Sequence, residues 1–154
     1  MTCFPNSYTL SCCWTLTKKH ENEIDVFQRL LIRKLMNVRW PHVISNDELY
    51  KRSNETTWTS KIKTRRLRWT GHLLRSPEVS PACKAFQESC RKSTNHKKTN
   101  RMTWKKQVDK DLQSINKDLS LEYVDLKNLA QDRVWWSRSI VGRSCAVPTI
   151  GVKH

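Results

Sequence analysis

The sequence predicts a mostly α-helical chain: a small helical bundle, then a basic flexible linker, then a pair of helices. Three observations carry that expectation. Apolar residues recur every three or four positions through 24–38, 58–73 and 104–115, the period of one buried helix face. Hydroxyl or amide side chains stand just ahead of several of these runs, where they can accept from the first unpaired amides of a helix. The chain also holds only three glycines and little strict apolar–polar alternation, which argues against a sandwich or barrel.

Residues 1–14 read as an irregular lead-in. Pro5, Asn6 and Ser7 mark a turn, and 9–14 suit a short strand or extended segment. Thr17 is the expected cap of a first helix reaching about Val38, with Glu21 and Glu23 near its positive end. Ile24, Phe27, Leu31, Leu35 and Val38 form its expected buried stripe. Val26, Leu30, Ile32 and Met36 widen that surface, so this helix is expected to be central. Arg39, Trp40 and Pro41 end it, because the residue before proline avoids helical angles. Ser45 or Asn46 then caps a short helix to about Arg52, which Asn54 breaks.

The third helix is expected over 58–75, WTSKIKTRRLRWTGHLLR, behind Thr56 or Thr57. Winding it puts Trp58, Ile62, Trp69 and Leu73 on one stripe, read as the core face. Lys61, Arg65, Arg68, His72 and Arg75 fall together on the far side, facing something anionic. Glycine inside a helix costs ~1 kcal/mol against alanine, so Gly71 implies a break after Thr70 or the close approach of a neighbour.

Residues 77–101 form the basic linker, with a brief helix over 82–90. Trp104, Val108, Leu112 and Ile115 mark an amphipathic helix ending near Asn116. Ser120, with Leu119 before it and Val124 at the staple position, opens a last helix through Leu126, Leu129, Ala130 and Trp136 to about Ile140. Trp135 and Trp136 point about 100° apart on such a helix, so one packs inward and the other stays outside. The domains read as a lead-in over 1–14, a bundle over 15–76, a linker over 77–101, a helical segment over 102–141 and a frayed tail over 142–154.

Composition bounds the function. The formal net charge is +15, and such an excess favours polyanions as partners. Hydrophobic content is 37%, below the typical ~45–50%, and the seven tryptophans, each with a large apolar area, make up much of the difference. No run of 18 apolar residues exists, so no membrane span is expected. The start lacks the basic and apolar regions of a signal peptide, and the six cysteines show no C-x-x-C pair. Reduced thiols in an intracellular compartment, nuclear or cytoplasmic, are therefore expected.

Catalytic and metal chemistry find little footing. Cys83, Cys90 and His96 lie seven and six residues apart, a spacing that matches no common zinc finger, so no metal or other cofactor is expected. His72 has no nucleophile or orienting partner nearby in sequence. Asp109, Asp111, Asp118, Asp125 and Asp132 form no compact metal-binding array. The expectation is a protein that is not an enzyme.

Four segments occur in an order that carries a resemblance: WTLTKKHENEIDVFQRLLIRKLMNVRW at 14–40, RRLRWTGHLLR at 65–75, TWKKQVDKDL at 103–112 and LAQDRVWWSRSI at 129–140. Together they resemble the C-terminal part of endonuclease–reverse transcriptases of non-LTR (LINE-type) retrotransposons, over roughly 11–141. The resemblance implies the thumb and the basic helical segment beyond it, a helical bundle that closes over an RNA template and its DNA primer. It implies no catalysis here, because the paired aspartates of the family's palm lie upstream and no YADD-like stretch is present. Two departures are visible. Ser11, Cys12, Cys13 and Trp14 keep only the serine and tryptophan of the family's usual tyrosine–glycine–serine–glutamate–x–tryptophan run. Lys97, Lys98, Asn100 and Arg101 stand where the family often has an arginine-rich Gly-Arg-Pro segment.

The candidate nucleic-acid contacts are Lys61, Arg65, Arg68 and Arg75 on the third helix, and Arg91, Lys92, Lys97, Lys98, Arg101, Lys105 and Lys106 in a second cluster. Phosphate binding needs several cations on one surface, and each neutralised phosphate releases counterions. The expected partner is RNA or an RNA–DNA hybrid. A surface tryptophan beside such arginines would be a stacking platform, but Trp58, Trp69 and Trp104 lie on apolar stripes and are read as core. The alternative is a self-associating or protein-binding module, in which a formerly palm-facing apolar surface is exposed.

Overall fold

The computed structural model describes residues 15–90, 102–119 and 122–142. They form a mostly helical bundle with no strand among them: α1 (Lys18–Leu35), α2 (Asn46–Ser53), α3 (Trp58–Arg75), α4 (Pro81–Cys90), α5 (Trp104–Ile115), α6 (Tyr123–Gln131) and α7 (Arg133–Trp135). The last runs on as a π-helical segment, Trp136–Gly142. The expected short strand at 9–14, the tail beyond Gly142 and the linker from 91 to 101 lie outside the described residues.

Hydroxyl caps set the starts. Thr17, Ser45, Thr57 and Thr103 accept from the amides of His20, Glu48, Ser60 and Lys106, each satisfying a donor that the first helical turn leaves open. Two ends are set by asparagine, the side chain that best tolerates left-handed backbone after glycine. Asn54 closes α2 at φ 50°, and Asn37 takes φ 53° just beyond α1.

α3 is the hub. It touches α1, α4, α5, α6 and the π-helical segment. Its Leu67, Leu73 and Leu74 join Phe86 of α4, Val108 and Leu112 of α5, Leu126 and Ala130 of α6, and Trp136, Ile140 and Val141 in one core. Trp104, Ile115, Leu119 and Tyr123 pack against its rim. The stretch read as linker therefore opens with a docked helix, α4, which buries Cys83 and Phe86.

Three expectations change. α1 ends at Leu35 rather than Val38, and it is peripheral rather than central. It buries Gln28 and Ile32, and its predicted core residues Phe27 and Leu35 are exposed, because its main contacts among the described residues are with α2 and α3 alone. On α3 the core face is not the tryptophan stripe but Leu67, Thr70, Gly71 and Leu74, with Thr64, Arg66 and Leu73 at its borders. The expected last helix is interrupted. α6 stops at Gln131, and Asp132 turns extended to cap α7, its carboxylate accepting from the Trp135 amide at 2.8 Å. Val124, expected at a staple, is exposed.

Gly71 marks a close approach. The helix continues through it, and an added Cβ would lie 2.7 Å from Trp136 Cδ1 and 2.9 Å from Cε2. The Trp136 indole N–H donates to the Leu67 carbonyl at 3.1 Å, so the ring lies across α3 where a side chain is missing. Of the adjacent pair, Trp136 is the buried one and Trp135 the exposed one.

Candidate nucleic-acid interface

Opposite the buried face of α3, Arg65, Arg68 and His72 point to solvent. Spacings of three, four and seven residues put them with Arg75 along one side of the cylinder. Arg75 is half-buried. Its Nη1 donates to the Ala130 carbonyl at 2.9 Å, which pins the guanidinium at the α6 end of the strip. Burial, and then the nearby Arg133, lower its pKa, yet a guanidinium stays charged at any physiological pH. Arg133 therefore extends the positive strip from α3 onto α7.

Lys61 sits at the other end of the strip, ion-paired with Glu55 across the turn before α3. Lys105 lies apart, on α5, where Asp109 holds it at 2.5 Å and the side chain is mostly covered. Lys106 is exposed beside it. Arg91, Lys92, Lys97, Lys98 and Arg101 lie outside the described residues. The site is thus one helical strip with Lys61, Arg65, Arg68 and Arg75 on it, and Lys105 and Lys106 on a separate element.

On α3, Arg66, given no role by the sequence pattern, acquires one, and Trp69 changes its role. Arg66, a turn's edge away from the strip, is buried and ion-paired with Asp111 of α5. Burial raises the Asp111 carboxyl above its usual value, with Arg66, Lys63 and Gln107 pulling against it. This arginine is an interior group, not a phosphate contact. Trp69, expected in the core, is 37% exposed. Its ring lies 5.4 Å from that of His72, tilted by 37°. An aromatic surface thus stands among Arg65, Arg68 and His72. The signal for this was present in the Leu67, Thr70, Gly71 and Leu74 spacing, which defines a fuller apolar-and-small face than the tryptophans do.

Tyr123 and Cys90, elsewhere in the bundle, are held protonated. Tyr123, hydrogen-bonded with the Cys83 thiol at 3.5 Å, is pushed up to about 12 by that bond and by burial. Burial likewise raises the Cys90 thiol. Neither offers the anionic form that a nucleophile needs at neutral pH. No group of three or more metal-ligating side chains gathers among the described residues, where Cys83 and Cys90 are both free thiols. No described helix is long and apolar enough to cross a membrane.

The fold and site define a class: a small helical bundle whose central helix carries the core on one side and a cationic strip on the other. No family model, curated protein or solved structure matches the chain.

Proposed function

We propose that the chain is a non-catalytic fragment of a retrotransposon-derived RNA-directed DNA polymerase, a thumb-like bundle that holds RNA or an RNA–DNA hybrid. Recognition is electrostatic and indifferent to base sequence. The observation that carries this reading is the division of α3, with Leu67, Thr70, Gly71 and Leu74 buried and Arg65, Arg68 and His72 exposed opposite them. A helix packed on five neighbouring elements presents its cations at fixed spacing, which is what a phosphate backbone requires. The ordered residue segments quoted above supply the link to reverse transcriptases.

The test is a titration of a labelled RNA and an RNA–DNA hybrid across rising salt. Affinity should fall linearly on logarithmic axes, since each neutralised phosphate releases counterions. Replacing Arg65 and Arg68 together by alanine should lower the magnitude of the slope by about two, roughly one per phosphate contact. Affinity that does not change with salt would exclude the reading.

A second reading is favoured by α1, whose Val26, Phe27 and Leu30 stand about half exposed side by side. Such a face supports self-association with a second copy. A concentration-dependent dimer by sedimentation, abolished by Leu30→Glu with nucleic-acid affinity unchanged, would identify it. A chain that stays monomeric at high concentration would dismiss it.

A further inference from the structure

Trp69 is an exposed aromatic residue of the hub helix that the sequence pattern assigned to the core. The core face of α3 passes beneath it through Leu67, Thr70, Leu73 and Leu74, while Trp69 stays 37% exposed on the flank. Arg65 lies one turn before it, Arg68 is its neighbour, and the His72 ring packs on it at 5.4 Å. That packing holds the indole in one attitude on a rigid helix, so little side-chain freedom is left to lose when something lies against it. Trp40, at 89%, is more exposed still, but it sits on the connection between α1 and α2, where no ring packs on it among the described residues.

We propose that Trp69 is a stacking platform for an unpaired nucleobase, so that, of the ligands named above, the α3 strip takes single-stranded RNA in preference to any duplex, the hybrid included. This rests on the nucleic-acid reading given above. The indole takes the face of a base while Arg65 and Arg68 meet the phosphates on either side. A duplex hides its base faces in its own stack and offers the strip only phosphates. A single strand offers both, and stacking accepts every base because each has a π face.

The experiment compares the parent chain with Trp69→Ala, Trp69→Phe and Trp40→Ala, all checked for helical content by circular dichroism. The probes are a labelled oligouridylate, the corresponding oligothymidylate and a blunt duplex of mixed sequence, each at several salt concentrations. Trp69→Ala should weaken both single strands by about 5- to 150-fold, the range that stacking on one aromatic contributes. Its duplex affinity and salt slope should stay those of the parent. Trp69→Phe should recover most of the loss, and Trp40→Ala should change nothing. If Trp69→Ala leaves single-strand binding unchanged, or weakens duplex and single strand alike, the platform is overturned while the salt-dependent surface stands. If the parent shows no salt-dependent binding to any probe, both readings fall together.

Discussion

α1 and α5 are both amphipathic helices opened by a threonine cap, and the bundle treats their apolar sides differently. Val108 and Leu112 of α5 are wholly buried against α3 and α4. Val26, Phe27 and Leu30 of α1 remain 46%, 55% and 58% exposed. α5 is held by apolar contact and by the Arg66–Asp111 pair. α1 is held mainly by polar bonds to the start of α3: Gln28 donates to the Thr56 carbonyl at 2.8 Å and accepts from the Trp58 amide at 2.7 Å, and Asp25 accepts from the Thr59 amide. Arg33 ties it to α2 through Asn46 at 2.7 Å. A helical period reports that a face exists; it does not report that a partner lies against it.

That contrast sets the order of what substitution should cost. On the α5 side, Asp111→Ala leaves the Arg66 guanidinium buried without its carboxylate and should cost about 3–5 kcal/mol in urea unfolding. Exchanging the whole pair, Arg66→Met with Asp111→Leu, should be neutral or stabilising, since burial outweighs the attraction at Asp111. The pH dependence has a definite sign. With the folded carboxyl raised above 3.8, the stability it contributes is complete below that value and is lost as pH rises through the folded value. The advantage of the paired variant over the parent should therefore grow as pH increases from about 4 toward neutrality. An advantage that shrinks over that range would contradict the assignment.

Next comes the apolar packing itself. Leu112→Ala should cost about 2–5 kcal/mol, the loss for emptying a filled core position. Leu30→Ala, the same chemical change on α1, should stay within about 0.5 kcal/mol of the parent. Equal costs would mean that the α1 face is covered in solution. Between those two, Gln28→Ala should cost about 1–3 kcal/mol by leaving the Trp58 amide and Thr56 carbonyl without their partner. Hydrogen exchange should quicken along α1 and stay slow along α5.

Much of the helical layout was legible because short-range chemistry decides it. Thr17, Ser45, Thr57 and Asn54 sit where a hydroxyl or a left-handed asparagine belongs, and α2, α3 and α5 begin and end within a residue or two of expectation. The face of α3 was read roughly a third of a turn off, since tryptophan's large apolar area outweighed the small residues that mark a close approach. Arg66 was illegible for a different reason. Its carboxylate partner is 45 positions away on α5, and nothing local distinguishes a buried arginine from its exposed neighbours Arg65 and Arg68. The interruption at Asp132 was missed because an aspartate cap inside an apolar run looks like one polar position on a continuing helix. Of the cationic strip, the α3 members were visible from spacing, while Arg133 entered only once α7 was seen to lie beside Arg75.

The indole of Trp136 fills the notch left by Gly71 and bonds a carbonyl 69 positions earlier in the chain. The far side of that same helix bears the arginines. A version of the protein cut short before Trp136 would retain every cation of the α3 strip, yet it would lose the wedge packed against their scaffold. Weak binding by such a truncated piece would then report a loosened support rather than a missing contact.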